Sequence, residues 1–475
     1  MIGRREIWML SWMVAAFACA SAAAAPSAAS DSVAIQGATL IDGTGADPVP
    51  DATLVIEGDT IACAGDGDDC EVPSGAEVRD LSGRWLVPGL VDAHVHLSQT
   101  GFFDGRPDAL DLRDAFPFER VQARQRRHVD RYLGAWLCSG VTAIFDVGGF
   151  AWTIRLAAAT RRSGRAGTPE VAATGPLISH APAREINLPN HRQMVGVESP
   201  REARRVVGGI AQLGADAIKL WFLPVRDPAR QRAVDARVRA AGAETGAGER
   251  PLVVHATTLR EAKVALSAGA DVLVHSVQDR PIDDEFLALA RERNVIYVPT
   301  LIVGSGYVSA YRAVAGTQPF DLDDPNDCID DATAGRLEGA ARFRDHPSAA
   351  HLTPARLARM EARARRNRET AAANLRRVHR AGITIAAGSD AGNPGTPHGP
   401  SIYRELEAMA EAGIPAEEIL VMATKHGARA MGREDVFGTI EAGKRADLVV
   451  LERDPLEDIS ALRTIDAVYR AGRAQ

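Results

Sequence analysis

Short apolar runs alternate with longer amphipathic segments along most of the chain. Eight such runs of five to eight residues are each bounded by turn residues, a pattern typical of buried strands. They are Leu90–Leu97, Val141–Asp146, Glu170–Thr174, Asp216–Phe222, Pro251–His255, Asp271–His275, Val295–Pro299 and Thr384–Asp390. Segments of helical period, such as Pro200–Leu213 and Leu259–Ala268, occupy most of the intervals. This alternation predicts an α/β fold, a (β/α)8 TIM barrel over residues 88–435.

Both chain ends carry short strand-like runs of a different character, separated by Gly, Asp and Pro turns. They are Val33–Ile35, Thr39–Ile41, Thr53–Ile56, Thr60–Ala62, Asp447–Leu451 and Ala467–Tyr469. Neither end alone offers enough strands for a stable sheet domain. We therefore expect a small β-sandwich domain composed of residues 33–87 and 436–473.

One interval between predicted strands is much longer than the others. Residues 304–370 form a partly helical insertion between strands seven and eight. A long loop leaving the top of a barrel is well placed to cover an active site. The Arg-rich segment Arg356–Arg380 is interpreted as the solvated face of the seventh helix and not as a binding patch.

The composition is that of a globular protein with a small-molecule partner. The chain has 475 residues, enough for a large barrel and a small companion domain, with 46% hydrophobic and 25% charged residues. Its net charge of −7 gives no reason to expect nucleic acid or an anionic membrane as partner. A homo-oligomer is left open.

The N-terminus has the pattern of a secretory signal peptide over residues 1–25. Arg4 and Arg5 precede an apolar run, Ile7–Ala20, and a small-x-small cleavage site follows. The run is too short for a confident membrane span, so we expect an exported protein, periplasmic or secreted. A lipoprotein anchor at Cys19 ranks below simple cleavage, because the expected Leu three residues earlier is missing.

Four cysteines remain beyond this leader, and none lies in a CxxC metal-binding pattern: Cys63, Cys70, Cys138 and Cys328. Four are too few for a disulfide scaffold. Cys63 and Cys70 flank a turn-rich hexamer and could form a disulfide in an exported protein, but two unpaired thiols remain an alternative.

Two histidines on the first predicted barrel strand share one face. His94 and His96 are two residues apart, so in a strand both imidazoles point the same way and could hold zinc. An isolated His-x-His is more often accidental. Four further ligand-type residues lie in or at the ends of other strands, however: Lys219, His255, His275 and Asp390. The carboxyl ends of barrel strands open onto one face, so together they predict a metal site there.

These motifs resemble the metal-dependent amidohydrolase superfamily, in particular its imidazolonepropionase-like branch, which includes prolidase-like dipeptidases. The matching segments are residues 37–45, 87–96, 214–220, 388–392, 398–399 and 438–448. Two departures stand out. Ser389 replaces the usual Thr, and the Gly-rich continuation after Lys219 is replaced by Leu-Trp-Phe-Leu-Pro, which leaves the shape of the substrate pocket open.

The resemblance implies two divalent metal ions, with zinc as the expected element. His94, His96 and Asp390 would bind the more buried ion, and His255 and His275 the more exposed one. Lys219 would be N6-carboxylated, since a carbamate can bridge two cations and an ammonium cannot. The ions would share a hydroxide that attacks the substrate, with Asp390 as proton shuttle and catalytic residue.

Weaker candidates surround this set. His180 and Tyr297 are candidate substrate contacts, although each has an ordinary loop or core interpretation. His398 is expected to support Asp390 without touching substrate. Asp146 matches no ligand position and is expected to hydrogen-bond near the metals.

The predicted function is metal-dependent hydrolysis of an amide bond in a small substrate, such as a dipeptide or N-acyl amino acid. One alternative is a single-metal hydrolase of cyclic amides, imidazolonepropionase-like, or a deaminase. Another is a lactonase or other esterase on the same site. A catalytically inactive scaffold would have lost ligands, and none of the six is lost.

Overall fold

The structure is a computed structural model that describes residues 32–67, 69–163 and 167–475. The predicted signal peptide, residues 1–25, and Cys19 lie outside these residues. Among the helices within them, none is long and apolar enough to cross a membrane.

Strands and helices alternate along the central part of the chain. The strands are β1 (Ser32–Leu40), β2 (Val49–Glu57), β3 (Thr60–Gly65), β4 (Glu77–Asp80), β5 (Trp85–Pro88), β6 (Leu90–Val95), β7 (Val141–Asp146), β8 (Glu170–Ala173), β9 (Leu177–Ser179), β10 (Met194–Gly196), β11 (Ile218–Trp221), β12 (Leu252–His255), β13 (Val272–Val274), β14 (Ile296–Val298), β15 (Leu448–Leu451), β16 (Ile465–Arg470) and β17 (Arg473–Ala474). The helices are α1 (Phe118–Arg127), α2 (Val129–Cys138), α3 (Trp152–Ser163), α4 (Pro200–Gln212), α5 (Pro228–Ala247), α6 (Leu259–Ser267), α7 (Asp284–Glu292), α8 (Val303–Val314), α9 (Asp331–Glu338), α10 (Pro354–Arg380), α11 (Ser401–Glu411), α12 (Ala416–Ala423) and α13 (Lys425–Ala430).

Strands from both chain ends pair in one sheet. Within the described residues it has eight strands in the order β17-β16-β15-β5-β1-β2-β3, with β4 beside β1. The two runs predicted at 33–35 and 39–41 are a single strand, β1. Gly37 interrupts its register with β2, and its φ of +83° is a conformation that glycine adopts without strain, so the strand continues past it.

The central part of the chain contains two parallel sheets. In the residues described, β6-β7-β8 form one, and β10-β9-β11-β12-β13-β14 form the other. A backbone hydrogen bond from Asp216 N to Ala173 O, 2.9 Å long, connects them. The fold is therefore α/β with parallel sheets and an additional sheet. The prediction omitted β9 and β10, which are too short to show a periodicity.

Residues 384–391 differ from the prediction of an eighth regular strand. They form only isolated bridges, Ile385 with Tyr297 and Ala391 with Val95. Their backbone bonds alternate between the two neighbours, as in Tyr297 N to Thr384 O (2.9 Å) and Asp390 N to His94 O (2.8 Å). Such alternation is usual for a strand inside a parallel sheet, so the segment lies between β14 and β6, and the positive φ of Asp390 (57°) ends its extended backbone.

Helix starts carry the side-chain caps that the sequence supports. Ser199 accepts a hydrogen bond from Glu202 N at the start of α4, where Pro200 occupies the first turn. Thr258 caps α6 in the same way through Glu261 N. These caps fix where the chain leaves the preceding loop and so place the helices against the sheets.

The insertion is fixed to the rest of the protein by apolar packing, charge and a disulfide. Apolar side chains of α8, α9 and α10 cluster with Phe102, Phe103 and their neighbours in the loop after β6. Oδ2 of buried Asp104 lies 3.4 Å from Nε of Arg336 on α9. Cys138 at the end of α2 is bonded to Cys328 of the insertion. Cys63 and Cys70 are also bonded, so the alternative of unpaired thiols is not what the structure shows.

Candidate metal centre

His94 and His96 enter the site from the end of β6. His94 is completely buried, and neither Nδ1 nor Nε2 of its ring has a hydrogen-bond partner in the described structure. His96 is oriented by a 2.8 Å bond between Nδ1 and Gly148 O. If Nδ1 carries the proton of that bond, Nε2 keeps a lone pair, and Nε2 faces Asp390. The unpartnered ring of His94 is therefore arranged as a ligand and not as a satisfied core histidine, and His96 directs Nε2 to the same site.

Asp390 lies between the histidines of two strands. Its Oδ1 is 3.0 Å from His96 Nε2 and 3.4 Å from His94 Nε2, and its Oδ2 is 3.9 Å from His275 Nδ1. Burial alone would raise the pKa of Asp390, but the hydrogen bond and charge of His96, with His275 and Lys219, hold it below its usual value. The carboxylate is thus available in its anionic form.

His255 and His275 form the opposite side of the site. Their ring centroids are 4.3 Å apart, and His275 Nδ1 is hydrogen-bonded to Thr300 Oγ1 at 2.6 Å. His275 has a φ of +73°, an unfavourable conformation that the surrounding structure must maintain. Asp390 shares this feature, so two candidate ligands have strained backbones, as is common at functional sites.

Lys219 is the most unusual member of the group. It is 1% exposed, and its Nζ has no hydrogen-bond partner among the described residues. Burial lowers its pKa to about 7, although Asp390 opposes this. A substantial share of the side chain is therefore a free amine at neutral pH, the form that can react with carbon dioxide.

The residues present fit a divalent metal. One ligand atom from each of His94, His275 and Asp390 lies within 4.8 Å of the others. Burial is the largest cause that lowers the pKa of His94 and of His255. It also lowers the pKa of His275, to about 4. The imidazoles are thus neutral, as ligands must be. Unpartnered polar atoms at this depth are costly unless something binds them.

A cavity of about 530 Å³ opens above these residues. One wall is apolar and includes Leu177, Ile186, Met194 and Trp221, with Leu177 from β9 and Met194 from β10. Another part of the lining comes from the insertion and combines polar with apolar side chains. It includes Tyr307 of α8 and, on α10, Met360, Arg363, Asn367 and Arg368. Two arginines of the Arg-rich segment, Arg363 and Arg368, therefore line the cavity, which the prediction of a solvated face did not include.

The weaker candidates lie apart from this cavity or behind it. His180 lies beside a separate small cavity near Phe222, 6.2 Å between ring centroids. Tyr297 is completely buried, and its hydroxyl accepts a hydrogen bond from Val277 N at 2.9 Å. His398 Nε2 is 3.1 Å from the carbonyl of His96, so it supports His96 and not Asp390 directly.

Asp146 has the hydrogen-bonding position expected of it. Its Oδ1 accepts from Leu97 N at 3.2 Å, just beyond the His94–His96 pair. Another buried carboxylate, Asp92, accepts from the N and Oγ of Ser389 at 2.9 and 2.5 Å. Ser389 therefore supplies the hydroxyl that the usual Thr would supply.

Sequence reasoning missed three residues next to Asp390: Arg106, Tyr307 and Asn393. Asn393 donates to Asp390 Oδ1 at 2.7 Å and follows it by three positions. An amide three positions after the candidate ligand Asp390 could have been predicted from the sequence to lie near its carboxylate. Arg106 and Tyr307 come from a loop and from the insertion, where no pattern marks a residue as near the site.

Comparison with known proteins places the chain among hydrolases. Residues 85–474 match the Amidohydrolase family. An imidazolonepropionase of Acidiphilium cryptum is 27% identical over 419 residues, 83% of this chain and 86% of that protein. Among solved structures, molinate hydrolase aligns with a TM-score of 0.69 at 23% identity, over 94% of this chain and 95% of that one. A Xaa-Pro dipeptidase with bound methionine aligns with a TM-score of 0.65 at 24% identity, over 94% of this chain and 99% of that one.

Proposed function

We propose a function from one premise: the chain belongs to the amidohydrolase family, in its imidazolonepropionase-like and prolidase-like branch, and is an enzyme that hydrolyses carbon–nitrogen bonds. From this premise we propose that it cleaves the amide bond of a small substrate, a dipeptide or an N-acyl amino acid. The observation that carries the proposal is the convergence of unpartnered, buried His94 and Lys219 with Asp390 on the floor of one cavity.

The metal assignment follows the donor set. His94, His96 and Asp390 would hold one divalent ion, zinc being the expected element, and His255 and His275 a second, with Lys219 as a bridging carbamate. Bound ions would lower the pKa of a shared water and polarise the substrate carbonyl. Lys219 favours two ions over one, because a bridging ligand has no role in a single-ion site.

Asp390 would carry the proton in this reaction. Its carboxylate stays anionic and lies on the floor of the cavity. It would accept the proton of the attacking water and deliver it to the departing amine nitrogen, which is a poor leaving group without it. The imidazoles of His94, His255 and His275, whose pKa values burial lowers, would not compete for that proton.

The two walls of the cavity support the substrate class. The apolar wall of Leu177, Ile186 and Met194 suits an apolar acyl group or side chain. The part of the lining that α10 supplies includes Arg363, which suits a carboxylate, whereas Arg368 is already paired with Glu411. An N-acyl amino acid or dipeptide has both features, and the Xaa-Pro dipeptidase with bound methionine is consistent with such a ligand.

A substrate panel with metal analysis tests the proposal. The purified enzyme should hydrolyse N-acyl amino acids or dipeptides and contain about two metal ions per chain. Cyclic amides, aminopurines and lactones belong in the same panel. Turnover of one of these classes alone, or a single ion per active chain, would favour the corresponding alternative.

Two finer structural assignments accompany this function. We propose that both parallel sheets close with residues 384–391 into a (β/α)8 barrel, which the hydrogen bonds of Tyr297 and His94 to that segment support. We also propose residues 33–87 and 436–473 as the companion β domain, supported by the pairing of β5 with β15.

Export is a further proposal, supported by the two disulfides of the described chain, since such bonds persist in oxidising compartments. N-terminal sequencing of the protein from its host should find a mature end between about Ala23 and Ser27. Intact protein beginning at Met1 in the cytoplasm would refute it.

A further inference from the structure

The side chain of Asn393 is bonded to the catalytic carboxylate. Its Nδ2 donates to Asp390 Oδ1 at 2.7 Å and to the Asp390 backbone carbonyl at 3.2 Å. Asn393 is 3% exposed. The amide therefore holds one of the two carboxylate oxygens, while the other, Oδ2, faces His275.

The other end of the same amide is held by two donors. Tyr307 Oη donates to Asn393 Oδ1 at 2.8 Å, and Arg106 Nη1 donates to the same atom. Arg106 is itself fixed by a bidentate salt bridge to Asp108. Its Nε and Nη2 donate to Asp108 Oδ1 and Oδ2, each at 2.8 Å. With donors at its oxygen and acceptors at its nitrogen, the amide has only one satisfied orientation.

The partners of Asn393 come from separate parts of the chain. Arg106 and Asp108 belong to the loop after β6, and Tyr307 belongs to α8 of the insertion. The guanidinium of Arg106 lies over the Tyr307 ring, 5.9 Å from its centroid. The two hydrogen bonds that Asn393 Oδ1 accepts therefore require both the loop after β6 and the insertion to be packed beside it, whereas the bonds from Nδ2 to Asp390 are local.

We propose that Asn393 is a positioning residue for Asp390, and that Tyr307 of the insertion acts on Asp390 through it. The terminal torsion of an aspartate is soft and nearly two-fold, so Oδ1 and Oδ2 exchange easily unless one is held. Asn393 holds Oδ1 and leaves Oδ2 on the side of His275. The inference rests on the role of Asp390 in the proposed function.

A double-mutant cycle tests this arrangement. Asn393→Ala should lower kcat at saturating metal by about 10- to 100-fold, as removal of a group that orients a metal ligand does, with a much smaller change in KM. Tyr307→Phe removes only the hydroxyl and should lower kcat by about five- to tenfold, the effect of one hydrogen bond. In the Asn393→Ala background, Tyr307→Phe should have no further effect on kcat.

Tyr311→Phe is the matched control. Tyr311 lies one turn further along α8, and its hydroxyl donates to Ala109 O at 3.0 Å, away from Asn393. This variant should keep the kcat of the wild type. The proposal that Tyr307 acts through Asn393 would be wrong if Tyr307→Phe kept its full effect on kcat in the Asn393→Ala background. It would also be wrong if Asn393→Ala changed KM alone.

Cobalt(II) binding supplies a readout that needs no substrate. Followed by its visible absorption in the metal-free protein, its affinity should fall about 10- to 100-fold in Asn393→Ala and stay unchanged in Tyr311→Phe. Unchanged affinity and unchanged kcat in Asn393→Ala would overturn the inference. Absence of amide hydrolysis in the wild type, with the cobalt result as expected, would overturn the proposed function instead.

Discussion

Cys138 and Cys328 form a disulfide that joins the end of α2 to the insertion across 190 positions of the chain. The insertion provides one wall of the cavity, so this bond fixes that wall covalently to α2. Closing a loop of this length removes much conformational freedom from the unfolded chain, and such bonds contribute about 2–4 kcal/mol.

The double variant Cys138→Ser/Cys328→Ser should therefore unfold at lower temperature and show a raised KM, because the wall is less well held. Thermal unfolding and kinetics on the same preparation measure both. Cys63→Ser/Cys70→Ser is the control, since that bond lies in the sheet of the chain ends, and its loss should leave KM unchanged. A KM that rose equally in both variants would contradict a specific role of Cys138–Cys328.

Lys219→Ala should reduce metal content from about two ions per chain to one or fewer and cut turnover by several orders of magnitude, because it removes the side chain proposed as the bridging ligand. A short carboxylic acid supplied with metal should restore part of the activity by standing in for the carbamate. Lys219→Arg should be no better than Lys219→Ala, since a guanidinium does not react with carbon dioxide. Elemental analysis measures the metal content of these variants, and kinetics measure their turnover. A Lys219→Ala variant with about two ions per chain and near-normal turnover would exclude the bridging role.

The carboxylate specificity proposed for the cavity predicts a charge-dependent effect at Arg363. Arg363→Gln should raise KM for N-acyl amino acids several-fold but leave KM for their neutral C-terminal amides nearly unchanged, because a charge-assisted hydrogen bond is lost only with the anion. Arg365→Gln, on the same helix but away from the cavity wall, is the control. If both variants behaved alike towards both substrates, Arg363 would not contact the substrate carboxylate.

The sequence predicted the floor of the site because strand geometry is periodic. His94 and His96 share a face by their spacing, and the parallel strands bring Lys219, His255 and His275 to one end. The ligand roles of these residues stay predictions. By contrast, Tyr307 and Asn393 are 86 positions apart and meet only through packing of the insertion, which no local pattern encodes.

Irregular segments account for the remaining differences. Residues 384–390 were expected to form a strand, but Gly388 lies so close to His94 that an added Cβ would be 2.8 Å from the His94 side chain. Close approach of this kind depends on tertiary packing. The pairing of Cys138 with Cys328 likewise follows from where the insertion lies and not from spacing.

Glu405 links α11 to the start of the insertion and should make stability depend on pH. It is completely buried, and its two carboxylate oxygens accept from Leu301 N and Ile302 N at 2.8 and 3.1 Å. Burial raises its pKa to about 8, and these two hydrogen bonds oppose the rise only in part.

Because the folded state holds this proton up to about pH 8 and the unfolded chain releases it near the ordinary value of 4.5, the folded state binds more protons between these limits. The free energy of unfolding should then fall as pH rises through that window, and Glu405 should have no further effect below or above it. Glu405→Gln stays neutral throughout and should remove this part of the decline. Thermal unfolding of the metal-loaded protein between about pH 5 and 8.5 measures it, with Glu417→Gln, at an exposed position of α12, as the control that keeps the slope of the wild type. Parallel curves for the wild type and Glu405→Gln would show that Glu405 is ionised in the folded protein, and the two backbone hydrogen bonds would then outweigh the cost of burial.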